Sequence, residues 1–336
     1  MNIPMFNVIS GTAVSAALES RELECLKTVE KAYRAHSEGK TSNPPSHFLN
    51  FPNRANRIIA LPAYLGGDFQ VSGIKWISSF PENIRTGLPR ASAVLILNDA
   101  LTGYPYACLE SSIISATRTA ASAVLGATQL HLGKPKKLSS LGIVGSGLIA
   151  RYIVRFFFRT GWEIENLKIY DLNPAEAARF IQRQESEKYV TRFSSHSLSE
   201  VLGQSEMIVF ATTAGTPYIN DSGLFSHHPT VIHISLRDLD PEIILQSFNV
   251  VDDVEHCLKA QTSPHLAELR VGNRDFVNGT IGDLLDGKLT VPKDRTRIFS
   301  PFGMGILDLA IGQLVYRSCK GDQIQKIPGF FHELTR

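Results

Sequence analysis

A glycine-containing loop in the middle of the chain constrains the fold more than any other feature. The apolar run 141–144 leads into Gly145-Ser146-Gly147-Leu148-Ile149-Ala150, and apolar residues then recur at helical spacing. Gly145 permits a tight turn, Gly147 lets backbone N–H groups approach a pyrophosphate, and Ala150 lets the helix pack close to the sheet. The pattern predicts a βαβ unit whose helix N-terminus binds a dinucleotide.

An acidic residue closes this unit. Residues 167–170 read as an apolar strand that ends at Asp171. A carboxylate at this position accepts hydrogen bonds from ribose hydroxyls and repels a 2′-phosphate, so we predict NAD rather than NADP. The alternative is a glycine turn in another α/β protein, with Asp171 only capping a helix. The expected cofactor contacts are Gly145, Ser146, Gly147, Leu148, Ile149 and Asp171.

The chain after the loop continues to alternate between strand and helix patterns. Apolar runs at 207–210, 231–234 and 250–251 predict further strands of a doubly wound sheet. Ligands bind outside the carboxyl ends of parallel strands, so Thr212, Thr213 and Ala214 are expected beside the cofactor. The alternative is that the threonines only cap the next helix.

The first 120 residues have a different pattern. Short β-like runs at 57–61, 71–77 and 91–97 are separated by Gly, Pro and Asn turns, and a helical pattern at 305–316 follows the last strand. We therefore predict an α/β protein with two domains. A Rossmann-type doubly wound parallel sheet covers residues 121–309, and an α+β domain covers residues 1–120 and 310–336.

Composition excludes several classes of function. The formal net charge of +2 indicates neither nucleic acid nor an acidic membrane surface as a partner. The four cysteines have no C-x-x-C spacing and the histidine pair His227-His228 has no helical spacing, so no metal site is predicted. The sequence also has no secretory pattern and no apolar run long enough to span a membrane, and we expect a cytoplasmic protein.

Four cations interrupt otherwise apolar segments: Arg57, Lys75, Arg90 and Arg118. A charge in such a context is costly unless an anion pairs with it, and a small-molecule substrate with several carboxylates would supply one. Arg118 stands out because its neighbours are small or hydroxylated, which leaves room for a guanidinium to bind a carboxylate in bidentate fashion. For any single arginine, an ordinary surface or ion-paired role is the alternative.

The segments 61–62, 73–75, 115–121, 145–150 and 299–309, in this order, resemble the ornithine cyclodeaminase/μ-crystallin family. The resemblance implies a homodimer formed through the sheet of the N-terminal domain. It also implies that Lys75 and Arg118 are substrate-carboxylate and catalytic cations, with Arg57 nearby. Asp238 matches the catalytic aspartate of the family, with Asp240 as the alternative, and Ser300 and Gly303 are expected at the nicotinamide end of the cofactor.

The segments 57–62, 72–76, 89–99 and 300–305 resemble one branch of that family more closely. Its members oxidise N-(2-amino-2-carboxyethyl)-L-glutamate with NAD and release L-2,3-diaminopropionate and 2-oxoglutarate, for siderophores or peptide antibiotics. The resemblance implies this reaction here. Asp238 would then activate the water that attacks the imine, and Lys75 would orient a carboxylate or shuttle a proton.

Three positions depart from the cyclodeaminase pattern. Ile59 replaces an acidic residue, Ser300 replaces an aspartate, and Arg90 has no counterpart there. A tricarboxylate needs more cations than ornithine does, and Arg90 supplies one more. The alternatives are an ornithine cyclodeaminase, a ketimine or alanine-type reductase of the same family, and a nucleotide-binding protein without turnover.

Overall fold

The protein folds into two compact units, described by a computed structural model for residues 5–52, 56–186 and 192–332. Unit 1 comprises Met1–Arg118 and Met304–Arg336, and unit 2 comprises Thr119–Gly303. The division at 303/304 lies before the last long helix, whereas the sequence analysis expected it at 309/310. The physical reason is that this helix, Gly305–Ser318, is buried along its length and packs on the strands of unit 1.

The first part of the chain contains both strands and helices. Short 3₁₀ helices, which are not numbered here, lie at Pro81–Thr86, Ser222–Phe225 and Gly321–Gln323. The first elements are β1 (Phe6–Ile9), α1 (Gly11–Leu18), α2 (Glu22–Ser37), β2 (Thr41–Ser42), β3 (His47–Asn50), β4 (Arg57–Leu65), β5 (Val71–Ser79), β6 (Ala91–Asp99), β7 (Pro105–Glu110) and α3 (Ser112–Leu130).

Unit 2 then alternates strands and helices before the chain returns to unit 1 with α11 and β16. The remaining elements are β8 (Lys137–Val144), α4 (Leu148–Arg159), β9 (Glu163–Tyr170), α5 (Pro174–Ser186), β10 (Arg192–Ser195), α6 (Leu198–Gln204), β11 (Met207–Phe210), β12 (Thr230–His233), α7 (Pro241–Gln246), β13 (Phe248–Val251), α8 (Val254–Cys257), α9 (Ser263–Val271), β14 (Val277–Thr280), α10 (Ile281–Leu285), β15 (Arg297–Ser300), α11 (Gly305–Ser318) and β16 (Gln325–Ile327).

Unit 1 is built on a mostly antiparallel sheet. Its strand order is β16-β1-β7-β6-β5-β4-β2, with β3 also paired to β4, and β1 runs parallel to β7. Alternate residues of a strand face opposite sides, and the side that contains Leu61, Leu95 and Leu97 is buried. The helix α11 packs on β4, β5 and β6, so this buried side lies against an almost wholly apolar helix.

Unit 2 is built on a parallel sheet with the order β10-β9-β8-β11-β12-β15-β13-β14. Its central strands are continuous apolar runs, as expected for strands covered on both faces. The order of strand addition reverses between β8 and β11, which is where a doubly wound sheet opens a crevice for a dinucleotide. The predicted fold class, a Rossmann-type sheet together with an α+β domain, is confirmed.

No helix within the described residues is both long enough and apolar enough to cross a bilayer.

Candidate active site

The loop between β8 and α4 has the geometry of a phosphate-binding turn. Gly145 has a φ of +91°, and a Cβ atom there would lie 2.7 Å from the carbonyl oxygen of Ala211, so the position requires glycine. At Gly147 a Cβ atom would meet no atom of the described chain within 4 Å. Gly147 is the N-cap of α4 and no side chain caps this helix, so its first N–H groups lack the partner that a capping side chain would give. These residues fit a dinucleotide pyrophosphate.

Asp171 lies at the end of β9 and contacts this loop directly. Its Oδ2 atom accepts hydrogen bonds from the backbone N–H of Ser146 at 2.8 Å and from the Ser146 hydroxyl at 2.6 Å. Its Oδ1 atom accepts the N–H of Asn173. A carboxylate offers about four acceptor positions, so Asp171 keeps about one, on Oδ1, for a ribose hydroxyl.

Thr212 follows β11 and belongs to a hydrogen-bond network around Asp238. Its hydroxyl donates to Asp238 Oδ1 at 2.5 Å and accepts the backbone N–H of Ala214 at 3.1 Å. Thr213 is exposed beside it. The hydroxyl of Thr212 therefore orders the turn after β11, and the cofactor contacts expected of residues 212–214 stay predictions.

Asp238 is a buried carboxylate surrounded by hydrogen-bond donors. Besides Thr212, the hydroxyl of Tyr218 donates to it at 3.1 Å, and the hydroxyl of Ser235 donates to it as well. The Nε2 atom of His233 lies 3.2 Å from its Oδ2 atom. Asp238 and His233 are both fully buried. The carboxylate thus connects the ends of β11 and β12 at the ligand-binding edge of the sheet.

The ionisation of Asp238 follows from these contacts. Burial alone would raise its pKa, but His233, Ser235 and Thr212 favour the carboxylate more strongly and hold the pKa below its ordinary value. Burial and the charge of Asp238 together raise the pKa of Tyr218. Tyr218 therefore remains a hydroxyl donor while Asp238 carries the negative charge.

Asp240, the alternative to Asp238, lies in a different environment. Its side chain accepts the N–H of Glu242 and caps α7, and it lies 3.5 Å from Arg270. It is partly exposed and contacts none of the hydroxyls that surround Asp238. The geometry favours Asp238 as the functional aspartate, while its role stays a prediction.

The loop after β15 is held by an acid that the sequence analysis did not single out. Asp252, buried at the end of β13, accepts the N–H groups of Phe302 and Gly303 at 2.9 and 2.6 Å. Ser300 is buried with its Oγ atom 3.4 Å from His233 Nδ1. The N–H group of Gly303 thus helps to fix the loop by donating to Asp252. The cofactor contacts expected of Ser300 and Gly303 stay predictions.

In unit 1 the structure brings Lys75 and Arg118 onto one carboxylate. Lys75 Nζ donates to Asp308 Oδ2 at 2.7 Å and to the Ser115 hydroxyl at 3.2 Å, and Arg118 Nε donates to Asp308 Oδ1 at 3.3 Å. Lys75 and Asp308 are almost completely buried, and 12% of the Arg118 side chain is exposed. We call Lys75, Ser115, Arg118 and Asp308 the Lys75 cluster.

Arg57 and Arg90 form a second group of cations, which we call the arginine pair. Arg90 Nη1 donates to Ser79 Oγ at 2.8 Å, and burial first and then the charge of Arg57 lower the pKa of Arg90. The buried Nε atom of Arg57 has no hydrogen-bond partner among the described residues. Within those residues no carboxylate lies within ion-pair distance of either guanidinium. Two neighbouring cations without a counter-ion are suited to bind an anionic group.

Strand register places Arg57 and Lys75 on one face of the sheet in unit 1. Arg57 pairs with Ser79, and Leu61 pairs with Lys75. Residues four apart on a strand point to the same side and lie about 13 Å apart. The face that carries Lys75 therefore also carries Arg57.

Sequence reasoning missed Asp308, His233, Ser235 and Tyr218. Asp308 did leave a signal, because it is the only acid in the apolar helical pattern of residues 305–316. A carboxylate on an apolar helix must find a cation when it is buried. His233 and Ser235 left a weaker signal, since they are polar residues at and just after the end of an apolar strand, a few positions before Asp238.

Comparison with known proteins agrees with this geometry. The sequence profile of the ornithine cyclodeaminase/mu-crystallin family matches residues 7–323. The N-((2S)-2-amino-2-carboxyethyl)-L-glutamate dehydrogenase of Staphylococcus aureus is 31% identical over 276 residues, which are 80% of this chain and 81% of that protein.

Two solved structures resemble the whole chain. An archaeal alanine dehydrogenase dimer with bound NAD has a TM-score of 0.85 and 25% identity, and the match covers 97% of this chain and 100% of that one. The Thermococcus litoralis Δ¹-pyrroline-2-carboxylate reductase, in complex with NADH and L-proline, has a TM-score of 0.83 and 26% identity, with 93% and 97% covered.

These relatives are dehydrogenases and a reductase, and the two structures contain NAD or NADH. The predicted enzyme class and cofactor are confirmed at this level. The family resemblance seen in the sequence is confirmed as well: the chain belongs to the ornithine cyclodeaminase/mu-crystallin family.

Proposed function

We propose that this protein oxidises N-(2-amino-2-carboxyethyl)-L-glutamate with NAD and hydrolyses the product to L-2,3-diaminopropionate and 2-oxoglutarate. The observation that carries the proposal is the arginine pair, which has no carboxylate partner among the described residues and whose Arg57 lies on the same sheet face as Lys75. A substrate with one carboxylate would leave this pair unneutralised. The similarity to the S. aureus enzyme supports the same substrate.

The substrate carries three carboxylates, and the two groups of cations divide them. Lys75 and Arg118 bind the α-carboxylate of the glutamyl part, because Asp308 already neutralises one of their two charges and leaves one for a ligand. Arg57 and Arg90 bind a carboxylate at the far end of the molecule. Arginine suits this role since its planar guanidinium can form two parallel hydrogen bonds to a carboxylate.

The residues of unit 2 fit NAD. Gly145, Gly147 and the uncapped N-terminus of α4 hold the pyrophosphate, and Asp171 holds the adenosine ribose. Bound NAD would supply the acceptor for the hydride of the glutamyl Cα atom. Lys75 and Arg118 fix the carboxylate next to that carbon, which is the main contribution of the protein to this step.

Asp238 has the surroundings of an orienting group rather than of a strong base. A carboxylate with a pKa below its ordinary value and with several donors around it is a weak proton acceptor. It holds the hydroxyls of Thr212, Tyr218 and Ser235 in fixed positions. These hydroxyls would orient the water that adds to the carbon of the protonated imine. A proton passes from this water to the nitrogen, and the C–N bond of the carbinolamine then breaks to release 2-oxoglutarate and L-2,3-diaminopropionate.

The family resemblance implies that the product of this reaction supplies a siderophore or a peptide antibiotic, and we propose this role here.

We also propose that the protein is a homodimer. Trp76 and Val94 pair across β5 and β6 on the face away from Lys75, and their side chains are 42% and 40% exposed. A second copy of the chain would cover these apolar groups. The similar archaeal alanine dehydrogenase is a dimer.

The test is to incubate the purified protein with NAD⁺ and the conjugate, follow NADH absorbance and identify products by mass spectrometry. NADH together with 2-oxoglutarate and diaminopropionate in equal amounts is the expected result. Ornithine and alanine with NAD⁺, and Δ¹-pyrroline-2-carboxylate with NADH, serve as parallel substrates. Turnover of any of these in preference to the conjugate overturns the proposal, as does NAD binding with no turnover at all.

A further inference from the structure

Asp308 occupies an unusual place for a carboxylate. It lies in the first turn of α11 among buried apolar residues, and its side chain is completely inaccessible to solvent. Each of its oxygens contacts a different cation, Lys75 from β5 and Arg118 from α3. A buried carboxylate is stable only with such compensation, so the two cations and the acid form one interdependent group.

The hydrogen-bond geometry leaves Lys75 ready for one more partner. An ammonium group has three N–H donors, and two of them are used by Asp308 and Ser115. Their directions fix the direction of the third. Asp308 and Ser115 therefore aim the remaining donor of Lys75 as well as holding its side chain.

The charge of Lys75 depends on the same carboxylate. Burial lowers the pKa of Lys75, Asp308 raises it and Arg118 lowers it, with the result at about 8. Its register neighbours on β4 and β6 are Leu61 and Leu95, which carry no charge. Asp308 is thus the group that keeps Lys75 protonated near neutral pH.

We infer that Asp308 is a positioning residue, which keeps Lys75 charged and aims Lys75 and Arg118 at the α-carboxylate of the substrate. This inference rests on the proposed function for the identity of the ligand, but the effect on Lys75 does not require turnover. Removing the charge of Asp308 leaves two adjacent cations in an apolar setting. Lys75 then loses its proton at a lower pH and no longer attracts a carboxylate.

The test compares Asp308→Asn, Asp308→Glu and Ser115→Ala with the wild type. Protein labelled with ¹³C at lysine Cε is titrated by NMR, and the Lys75 signal is assigned by its loss in Lys75→Arg. We expect the Lys75 midpoint to fall by about one pH unit or more in Asp308→Asn. It should stay near the wild-type value in Asp308→Glu, which keeps the charge, and move little in Ser115→Ala, which removes only a neutral acceptor.

Steady-state kinetics with the conjugate supply the second measurement. In the wild type the KM should rise above pH 8, and in Asp308→Asn this rise should begin at lower pH, with a smaller change in kcat than in KM. A merely structural role would lower the amount of active protein without moving the pH dependence. Thermal unfolding of each variant shows whether it folds, and Asp308→Glu keeps the test usable if Asp308→Asn does not.

The possible failures are separate. An unchanged Lys75 midpoint in folded Asp308→Asn overturns the inference, whatever substrate the enzyme uses. A shifted midpoint without conjugate turnover in the wild type overturns the proposed function and leaves the charge relationship between Asp308 and Lys75 intact.

Discussion

Asp171 accepts two hydrogen bonds from Ser146, one from its backbone N–H and one from its hydroxyl, at 2.8 and 2.6 Å. The residue proposed to bind the ribose is therefore hydrogen-bonded to the turn proposed to hold the pyrophosphate. A change at Asp171 alters two parts of the cofactor site at once, and a substitution must keep one part intact to test the other.

Asp171→Asn should weaken NAD selectivity while it preserves the turn. The amide oxygen can still accept from Ser146, but the negative charge that binds ribose hydroxyls and repels a 2′-phosphate is lost. We expect the KM for NAD to rise about 10- to 100-fold and the ratio of NADP to NAD activity to increase. Steady-state kinetics with both cofactors provide the measurement. An unchanged ratio would mean that Asp171 does not select the cofactor.

Gly145→Ala and Gly147→Ala separate folding from cofactor binding. At Gly145 the left-handed backbone and the carbonyl of Ala211 oppose a Cβ atom, so the free energy of unfolding should fall by about 2 kcal/mol. At Gly147 a Cβ atom meets open space, so stability without NAD should hardly change. NADH fluorescence titration should nevertheless show binding at least about tenfold weaker in Gly147→Ala, because the methyl group occupies the pyrophosphate site. Equal NADH affinity would place the pyrophosphate elsewhere.

Arg90→Ala should weaken binding of the conjugate more than Ser79→Ala does. The first variant removes a charged donor and the second only the hydroxyl that holds it. A charge-assisted hydrogen bond contributes about 1.5–3 kcal/mol, so we expect the KM to rise about 10- to 100-fold in Arg90→Ala and less in Ser79→Ala.

The ligand group that Arg90 binds can be identified with a second substrate. The wild type should prefer the conjugate to its analogue with a γ-carboxamide, and Arg90→Ala should have lost most of this preference. If Arg90→Ala binds both compounds as the wild type does, Arg90 plays no part in substrate binding.

Trp76→Glu should convert the dimer to a monomer. The exposed indole lies on the apolar sheet face, and a carboxylate buried there against a second copy would be costly. Light scattering should give the mass of two chains of 37.0 kDa for the wild type and of one for the variant. Leu101→Glu is the control, since Leu101 is 94% exposed in a turn and should leave the mass unchanged. A dimeric Trp76→Glu would exclude this face as the interface.

The sequence was most informative at positions where the backbone conformation or a close contact can be satisfied by only one residue type. Gly145 and Gly147 could be placed because a turn and a close approach to a ligand need glycine. The parallel strands could be placed because buried strands are continuously apolar. The division between the two units at 303/304 could not be placed, since the pattern of α11 shows an apolar helix but not which sheet the helix covers.

Partners of charged residues were harder to predict. The sequence showed that Lys75 and Arg118 needed an anion, and a substrate was the expected source. Asp308 supplies it from a segment 190 positions beyond Arg118, a separation that no local pattern spans. His233 and Tyr218 were missed because no local pattern shows that their side chains contact Asp238: His233 ends β12 five positions before it, and a bridge between Ile219 and Leu239 brings Tyr218 close.

Asp238→Asn should destabilise the protein in a pH-dependent way, and Asp240→Asn should not. The folded-state pKa of Asp238 lies below its unfolded value, so its contribution to stability is present above the unfolded pKa and is lost as the pH falls through the folded pKa. At pH 7 we expect the free energy of unfolding to fall by about 3 kcal/mol, because a buried charged network loses its centre. The difference from the wild type should shrink below about pH 4.

Asp240→Asn is the matched control because it changes an acid two residues away that caps α7 at the surface. Asparagine is an equally good cap, so its cost should stay below about 1 kcal/mol and vary little with pH. Urea unfolding of both variants and of the wild type between about pH 3 and pH 7 supplies the measurement. A larger loss of stability and activity in Asp240→Asn than in Asp238→Asn would transfer the functional role to Asp240.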